Sequence, residues 1–142
     1  MELKNSTVVV TGGASGLGAA TVEMIVAAGG NAIIADVTRG PGDALAAKLG
    51  GHAKFVECDV TKEEHAKAAV NAALKDFGAL HGLVNCAGIA VGEKTVGKEG
   101  PHRLDAFARV ININLIGTFN MIRIAADAMS KQQPNAQGER GV

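Results

Sequence analysis

The segment Ser6-Thr7-Val8-Val9-Val10-Thr11 runs directly into Gly12-Gly13-Ala14-Ser15-Gly16-Leu17-Gly18, and no other feature constrains the fold of this chain as much. A run that is apolar at successive positions reads as a strand covered on both faces, the condition of a parallel sheet with helices on either side. The stretch from Gly16 to Ala28 is alanine-rich with Val22, Ile25 and Val26 on one stripe, so it reads as a helix. Glycine is needed between the two elements for three reasons: a tight turn at Gly12, close backbone approach of a bound group at Gly16, and helix packing at Gly18. The start of such a helix offers unpaired N–H groups and the positive end of its dipole, a receptor for phosphate.

The same alternation continues along the chain. Residues 31–36 read as a second strand, and Asp43 to Leu49 as a short helix after Pro41. Ala53 to Cys58 reads as a third strand, and Leu80 to Cys86 as a fourth. Between them Thr61, with Glu64 three residues on, has the spacing of a capping box for a helix running to about Phe77. Gly88 to Arg103 reads as a glycine- and lysine-rich loop. A long helix then runs from Leu104 to about Met129, with Phe107, Ile111, Leu115, Thr118 and Ile122 at helical spacing. The tail from Gln132 is polar and turn-rich.

Strands alternating with helices define an α/β class, a doubly wound parallel sheet in one domain over residues 1–142. The pattern stops after the fourth strand and its helix, which predicts a bare apolar edge along Leu83-Val84-Asn85.

Composition narrows the function. Lysine plus arginine and aspartate plus glutamate both number 14, so net charge gives no reason to expect nucleic acid or an anionic membrane as partner. Gly29, Asn31, Asp36 and Lys75 break every apolar run short of the roughly 20 residues of a membrane span. The start, Met1 to Asn5, leads straight into the first strand, with no room for a signal or transit peptide. Cys58 and Cys86 stand far apart, in no CxxC and with no histidine at ligand spacing, so neither a disulfide nor a metal site is expected. The expectation is a reduced, soluble, cytoplasmic protein.

Asp36 closes the second strand about 18 residues after Gly18, near the spacing of the acidic residue that accepts from an adenosine ribose. A carboxylate there repels a 2′-phosphate and favours NAD over NADP. Arg39, three residues on, is the one nearby cation that could meet such a phosphate, and a solvated strand end is the bland alternative for Asp36.

On these residues the chain resembles the short-chain dehydrogenases/reductases, with their Rossmann-like fold. The spacing Gly12-Gly16-Gly18 is that family's, Cys58-Asp59-Val60 resembles the segment after its third strand, and Asn85-Cys86-Ala87-Gly88 resembles its signature turn, with cysteine in the usual second-asparagine position. The runs TGGASGLG, VNCAGIAV and NLIGTFNMIR resemble more narrowly the type II 3-hydroxyacyl-CoA dehydrogenases, also described as 17β-hydroxysteroid dehydrogenases of type 10.

The resemblance implies an NAD-dependent oxidoreductase of lipid metabolism that interconverts a secondary alcohol and a ketone, with 3-hydroxyacyl-CoA or a hydroxysteroid as substrate. It also implies a homotetramer built through the long helix. Ser15 and Leu17 would donate to the pyrophosphate beside Gly12, Gly16 and Gly18. Asp59 and Val60 would contact adenine, with a helix cap as the alternative role for Asp59. Cys86 would contact the ribose through its backbone, within the turn that includes Asn85, Ala87 and Gly88, although a cysteine there also packs as core.

Asn114, in a helix it does not favour, takes the position of the family's catalytic asparagine ahead of Gly117. Its role there is to hold a water in a proton relay. Asn112 and Asn120 read as polar residues on a helix face. Lys94, Lys98, His102 and Arg103 would border an acyl-CoA site, or else form a solvated loop with Glu93, Glu99 and Asp105. His52, His65 and His81 carry no assignable pattern.

The family's catalytic serine, tyrosine and lysine fall beyond these residues, and the sequence contains no tyrosine. The 142 residues alone are therefore expected to be inactive. Two other readings stand beside this one: a non-catalytic nucleotide-binding or interaction half-domain, and a dehydrogenase of another small alcohol or steroid.

Overall fold

A computed structural model describes residues 2–98 and 100–142. Four parallel strands form one sheet: β1 (Thr7–Thr11), β2 (Asn31–Asp36), β3 (Ala53–Glu57) and β4 (Gly82–Asn85), in the order β3-β2-β1-β4. Thr7 pairs with Asn31, Ala32 with Ala53, and Val8 with Gly82.

Side-chain alternation along these strands divides the core in two. Val9 and Ile33 point to one face, where α3 (Glu63–Phe77) brings Ala66, Ala69, Val70 and Ala73, and α5 (Thr118–Ser130) brings Met121, Ala125 and Met129. Val8, Val10, Ala32 and Ile34 point to the other, against Val22 and Ile25 of α1 (Gly16–Ala27) and partly buried Leu45, Ala46 and Leu49 of α2 (Arg39–Leu49). Helices on both faces of a parallel sheet are the doubly wound arrangement, and they are why the strands read as continuously apolar.

Several boundaries move for identifiable reasons. The second helix starts at Arg39 rather than Asp43, because Pro41 is tolerated in a first turn whose N–H groups need no intrahelical partner. Gly42 then lies so close to Phe55 that an added Cβ would stand 2.1 Å from its ring. A 3₁₀ turn, Gly50–His52, joins this helix to β3. The fourth strand is shorter than read, Gly82–Asn85, and the loop after it holds a two-residue hairpin, β5 (Val96–Gly97) with β6 (Gly100–Pro101). Glu99 lies outside the described residues.

The capping box does not form. Lys62 precedes α3 with no side-chain cap, and the Thr61 hydroxyl donates to Asp59 Oδ1 instead, at 2.7 Å.

The long helix is continuous in space but changes winding. Leu104–Ile111 is α-helical (α4), Asn112–Gly117 is π-helical, and α5 follows. Its buried stripe is Gly117, Asn120, Met121, Ala125 and Met129. Of the stripe read from the sequence, Phe107, Leu115 and Ile122 are exposed.

The β4 edge is not bare along its whole length. Val142 donates its N–H to the His81 carbonyl at 3.0 Å and accepts from the Leu83 N–H at 2.9 Å, the hydrogen-bond pattern of a parallel pairing. Among the described residues no helix is long and apolar enough to cross a membrane.

Candidate cofactor site

The C-terminal ends of β1, β2, β3 and β4 open on one cavity of about 740 Å³. Ligands of doubly wound sheets bind in this crevice, where the connections diverge to opposite faces. Gly12, Ser15, Gly16, Leu17 and Gly18 form one side of it, with Asp36 from the end of β2. Asp59 and Val60 come from the turn after β3, and Cys86, Ala87 and Gly88 from the turn after β4.

The glycines fit different demands. Gly12 has φ +62, and an added Cβ would stand 2.8 Å from the Ala87 nitrogen. A Cβ at Gly18 would stand 2.0 Å from the Gly12 carbonyl oxygen, so the helix start packs directly on the turn. Gly16, at φ +52, meets nothing within 4 Å and faces open space. Ser15 precedes α1 without a side-chain cap, and the first turn carries no acidic residue. The first N–H groups of α1 therefore lack intrahelical acceptors, and no carboxylate of the helix's own first turn competes for them. This is a cradle suited to a pyrophosphate.

Asp36 is not a solvated strand end. It is 9% exposed, its Oδ2 accepts from the Ala14 N–H at 3.0 Å, and its Oδ1 accepts from the Thr38 N–H at 2.9 Å. Two backbone donors thus fix its orientation at the cavity. Arg39 is occupied elsewhere: it pairs with Glu57 at 3.0 Å and Asp43 at 3.8 Å, and lies over the Phe55 ring at 5.5 Å.

The turn after β3 is tied almost completely. Asp59 Oδ1 accepts from both the N–H and the hydroxyl of Thr61 at 3.0 and 2.7 Å, and the Asp59 carbonyl accepts from the Lys62 N–H at 3.0 Å. The Asp59 N–H donates to His65 Nδ1 at 3.0 Å. Burial acts to raise the Asp59 carboxyl, but the Thr61 hydroxyl and N–H, with Lys62 and His65 nearby, hold it below its ordinary range. Among the described residues, Asp59 Oδ2 and the Val60 N–H have no hydrogen-bond partner. At the back of the cavity Cys58 is buried, and burial together with Asp59 and Asp36 pushes its thiol up to about 12.

After β4, the Thr11 hydroxyl accepts from both the Cys86 and Ala87 N–H groups at 3.1 Å, and the Thr11 carbonyl also accepts from Cys86. That leaves the Cys86 carbonyl as its backbone group for a ligand. Asn85 and Asn114 do not line the cavity. Asn114 reaches the adjoining loop instead: its Oδ1 accepts from the Ile89 N–H at 2.9 Å, and its Nδ2 donates to the Ile89 carbonyl at 2.8 Å.

Sequence reading missed six further residues. Val37, Thr61, Ile89, Arg109, Asn112 and Ile113 also line the cavity, the last three on the helix that crosses its mouth. Arg109 is the one cation among the lining residues, and its i, i+3, i+4 relation to Asn112 and Ile113 was the available signal. Two histidines hold backbone, His81 Nδ1 accepting from the Thr7 N–H at 2.9 Å and His65 Nδ1 from the Asp59 N–H, while the His52 ring lies 2.9 Å from the Asn31 side-chain oxygen. In the loop, Arg103 pairs with Asp105, and His102 lies 3.7 Å from Glu93.

A crossover cavity of this kind, floored by a glycine turn and flanked by a fixed strand-end carboxylate, marks a doubly wound α/β protein of the Rossmann-like class. The short chain dehydrogenase family model matches residues 6–137, and the chain belongs to that family. It is 47% identical over 99% of its length to 3-hydroxyacyl-CoA dehydrogenase type-2 of Drosophila melanogaster, covering 56% of that protein. It is 45% identical to the Homo sapiens enzyme of the same name, covering 99% of this chain and 55% of that one. The crystal structure of 3-hydroxyacyl-CoA dehydrogenase type-2 from Mycobacterium avium superposes with a TM-score of 0.92 at 36% identity, over 99% of this chain and 56% of that chain. The chain thus spans about half the length of the curated relatives it matches.

Proposed function

We propose that this chain is the NAD-binding part of a single-domain dehydrogenase acting on a secondary alcohol, with a 3-hydroxyacyl-CoA as substrate. The observation that carries the cofactor reading is the Asp36 carboxylate, buried and held by the Ala14 and Thr38 N–H groups. A ribose diol donates to such a carboxylate, whereas a 2′-phosphate would bring a second negative charge against it. Arg39, already paired with Glu57 and Asp43, offers that phosphate little compensation. The cradle at Ser15–Gly18 would receive the pyrophosphate. The open Val60 N–H and Asp59 Oδ2 would meet an adenine edge, whose ring nitrogen accepts and whose amino group donates.

When bound, the cofactor supplies or accepts the hydride. The residues of this chain orient it and shield the crevice. Asn114 fixes the Ile89 loop beside the cavity. The names of the fly and human relatives support the acyl-CoA assignment. The exposed apolar residues Leu104, Phe107, Leu115, Phe119 and Ile122 support assembly into a homotetramer through the long helix.

The test is calorimetric titration with NAD and NADP. The parent should favour NAD by about tenfold or more, since a like unit charge at about 4 Å costs roughly 1–4 kcal/mol between bulk water and a protein surface and tenfold is about 1.4 kcal/mol. Asp36→Ala should narrow the gap. Equal affinities in the parent would overturn the assignment.

A further inference from the structure

Asn120 reads from the sequence as a surface polar residue on the long helix, but it is only 6% exposed. Its Nδ2 donates to the Val60 carbonyl at 2.8 Å, 60 residues away in sequence. Its Oδ1 accepts from Arg123, from Nε at 3.1 Å and from Nη2 at 2.7 Å. A carbonyl on one side and a guanidinium on the other leave the amide a single satisfactory orientation, since a flip would break both contacts. Arg123 is anchored in turn by Glu63 of α3 at 2.5 Å, and Lys67 also pairs with Glu63. Gly117, one turn earlier, completes the seat, because a Cβ there would stand 2.4 Å from Val60 Cγ2.

These contacts bear on the turn after β3. The Val60–Thr61 peptide is gripped at both ends: Asn120 takes its carbonyl and Asp59 Oδ1 takes its N–H. The preceding Asp59–Val60 peptide has its carbonyl bonded to the Lys62 N–H and its own N–H open. The Val60 N–H and Asp59 Oδ2 belong to a turn that lines the cavity and have no hydrogen-bond partner among the described residues. Such a pair can tell rings apart only while the turn keeps its orientation.

We propose that Asn120 is a positioning residue for purine recognition, holding Val60 so that the turn selects adenine over hypoxanthine. The proposal rests on the cofactor reading above. Adenine presents an acceptor at N1 and a donor at its amino group, matching the Val60 N–H and Asp59 Oδ2. Hypoxanthine presents a donor at N1 and an acceptor at O6, so donor would face donor and oxygen would face oxygen. Arg123 and Glu63 act through Asn120 and touch no ligand.

The experiment measures binding of NAD and of nicotinamide hypoxanthine dinucleotide to the 142-residue chain and to Asn120→Asp, with thermal midpoints recorded for each. Asn120→Asp keeps the size of the side chain but turns an acceptor toward the Val60 carbonyl. The parent should prefer NAD by about tenfold or more, and the variant should lose most of that preference by weakening NAD. Arg123→Gln, at an exposed position, leaves Asn120 in place but frees its amide, and should reduce the preference partway. It decides the matter if Asn120→Asp does not fold. An unchanged preference in either folded variant would overturn the proposal. So would an equal loss of both ligands with a lowered midpoint, the mark of a purely structural role. If the parent binds neither dinucleotide, the cofactor reading itself fails.

Discussion

The Asn114 side-chain amide holds both backbone polar groups of Ile89, accepting its N–H at 2.9 Å and donating to its carbonyl at 2.8 Å. Asn114 belongs to the π-helical segment Asn112–Gly117, and Ile89 to the loop leaving β4, so one side chain joins two walls of the crevice. A π segment widens the helical turn, and such segments recur at functional sites. Asn114→Ala should cost about 1–2 kcal/mol, the net worth of two partly exposed hydrogen bonds. Amide exchange gives the specific readout. Ile89 should exchange much faster in the variant, and unaltered protection of that amide would show that the pair does not hold the loop.

Gly16 and Gly18 make a contrasting pair. A side chain at Gly16 meets no protein atom within 4 Å, so Gly16→Val should fold, at a cost of about 1–2 kcal/mol for its φ of +52, and lose NAD binding. Gly18→Ala would place its Cβ 2.0 Å from the Gly12 carbonyl oxygen and should disrupt the turn itself. Circular dichroism with NAD titration separates the two. Undiminished binding by Gly16→Val would mean that the pyrophosphate lies elsewhere.

Glu63 carries a pH dependence of definite sign. Hydrogen bonds from Lys67 and Arg123 pull its carboxyl from an ordinary 4.5 down to about 2. Its contribution is therefore present above about pH 4.5 and is lost as pH falls through about 2. The thermal midpoints of parent and Glu63→Gln should differ at neutral pH and converge over that acidic window. A constant gap down to pH 2 would rule the linkage out.

A polypeptide of these 142 residues should bind NAD without turning over acetoacetyl-CoA. Reduction of a ketone builds charge on its oxygen, and general acid–base catalysis of that step contributes roughly 10²–10⁴-fold. The family's acid is a tyrosine, and the sequence has none. NADH absorbance, followed beside an intact 3-hydroxyacyl-CoA dehydrogenase type-2, reports the outcome. Comparable rates would show that other residues do this chemistry.

Much of the site was legible because its signals are local. The glycine turn, the strand-end Asp36 and the Cys86–Gly88 turn each declare themselves within a few residues of sequence. Asn120 and Arg109 were not legible in this way. A polar residue on a helix looks the same whether it faces water, a cavity or a buried carbonyl, and only the helix's packing decides among them. The apolar spacing of Phe107, Leu115 and Ile122 pointed to the wrong face for a related reason. Periodicity locates an apolar stripe, but it does not say which of two apolar surfaces the monomer buries.

Sequence alone determined the four strands of the main sheet, the helices between them and their order, because a continuously apolar strand and an alanine-rich helix follow from nearest-neighbour chemistry. It determined the glycine positions as well, since the φ of +62 at Gly12 and +52 at Gly16 suits a residue without a side chain. Tertiary structure alone decided where the polar groups of the turns went. The Thr11 hydroxyl took the Cys86 and Ala87 N–H groups across 75 and 76 residues, and Asn120 reached Val60 across 60. Each buried N–H and carbonyl must find a partner or lose roughly 1–3 kcal/mol, and the available partners exist only once distant elements have packed.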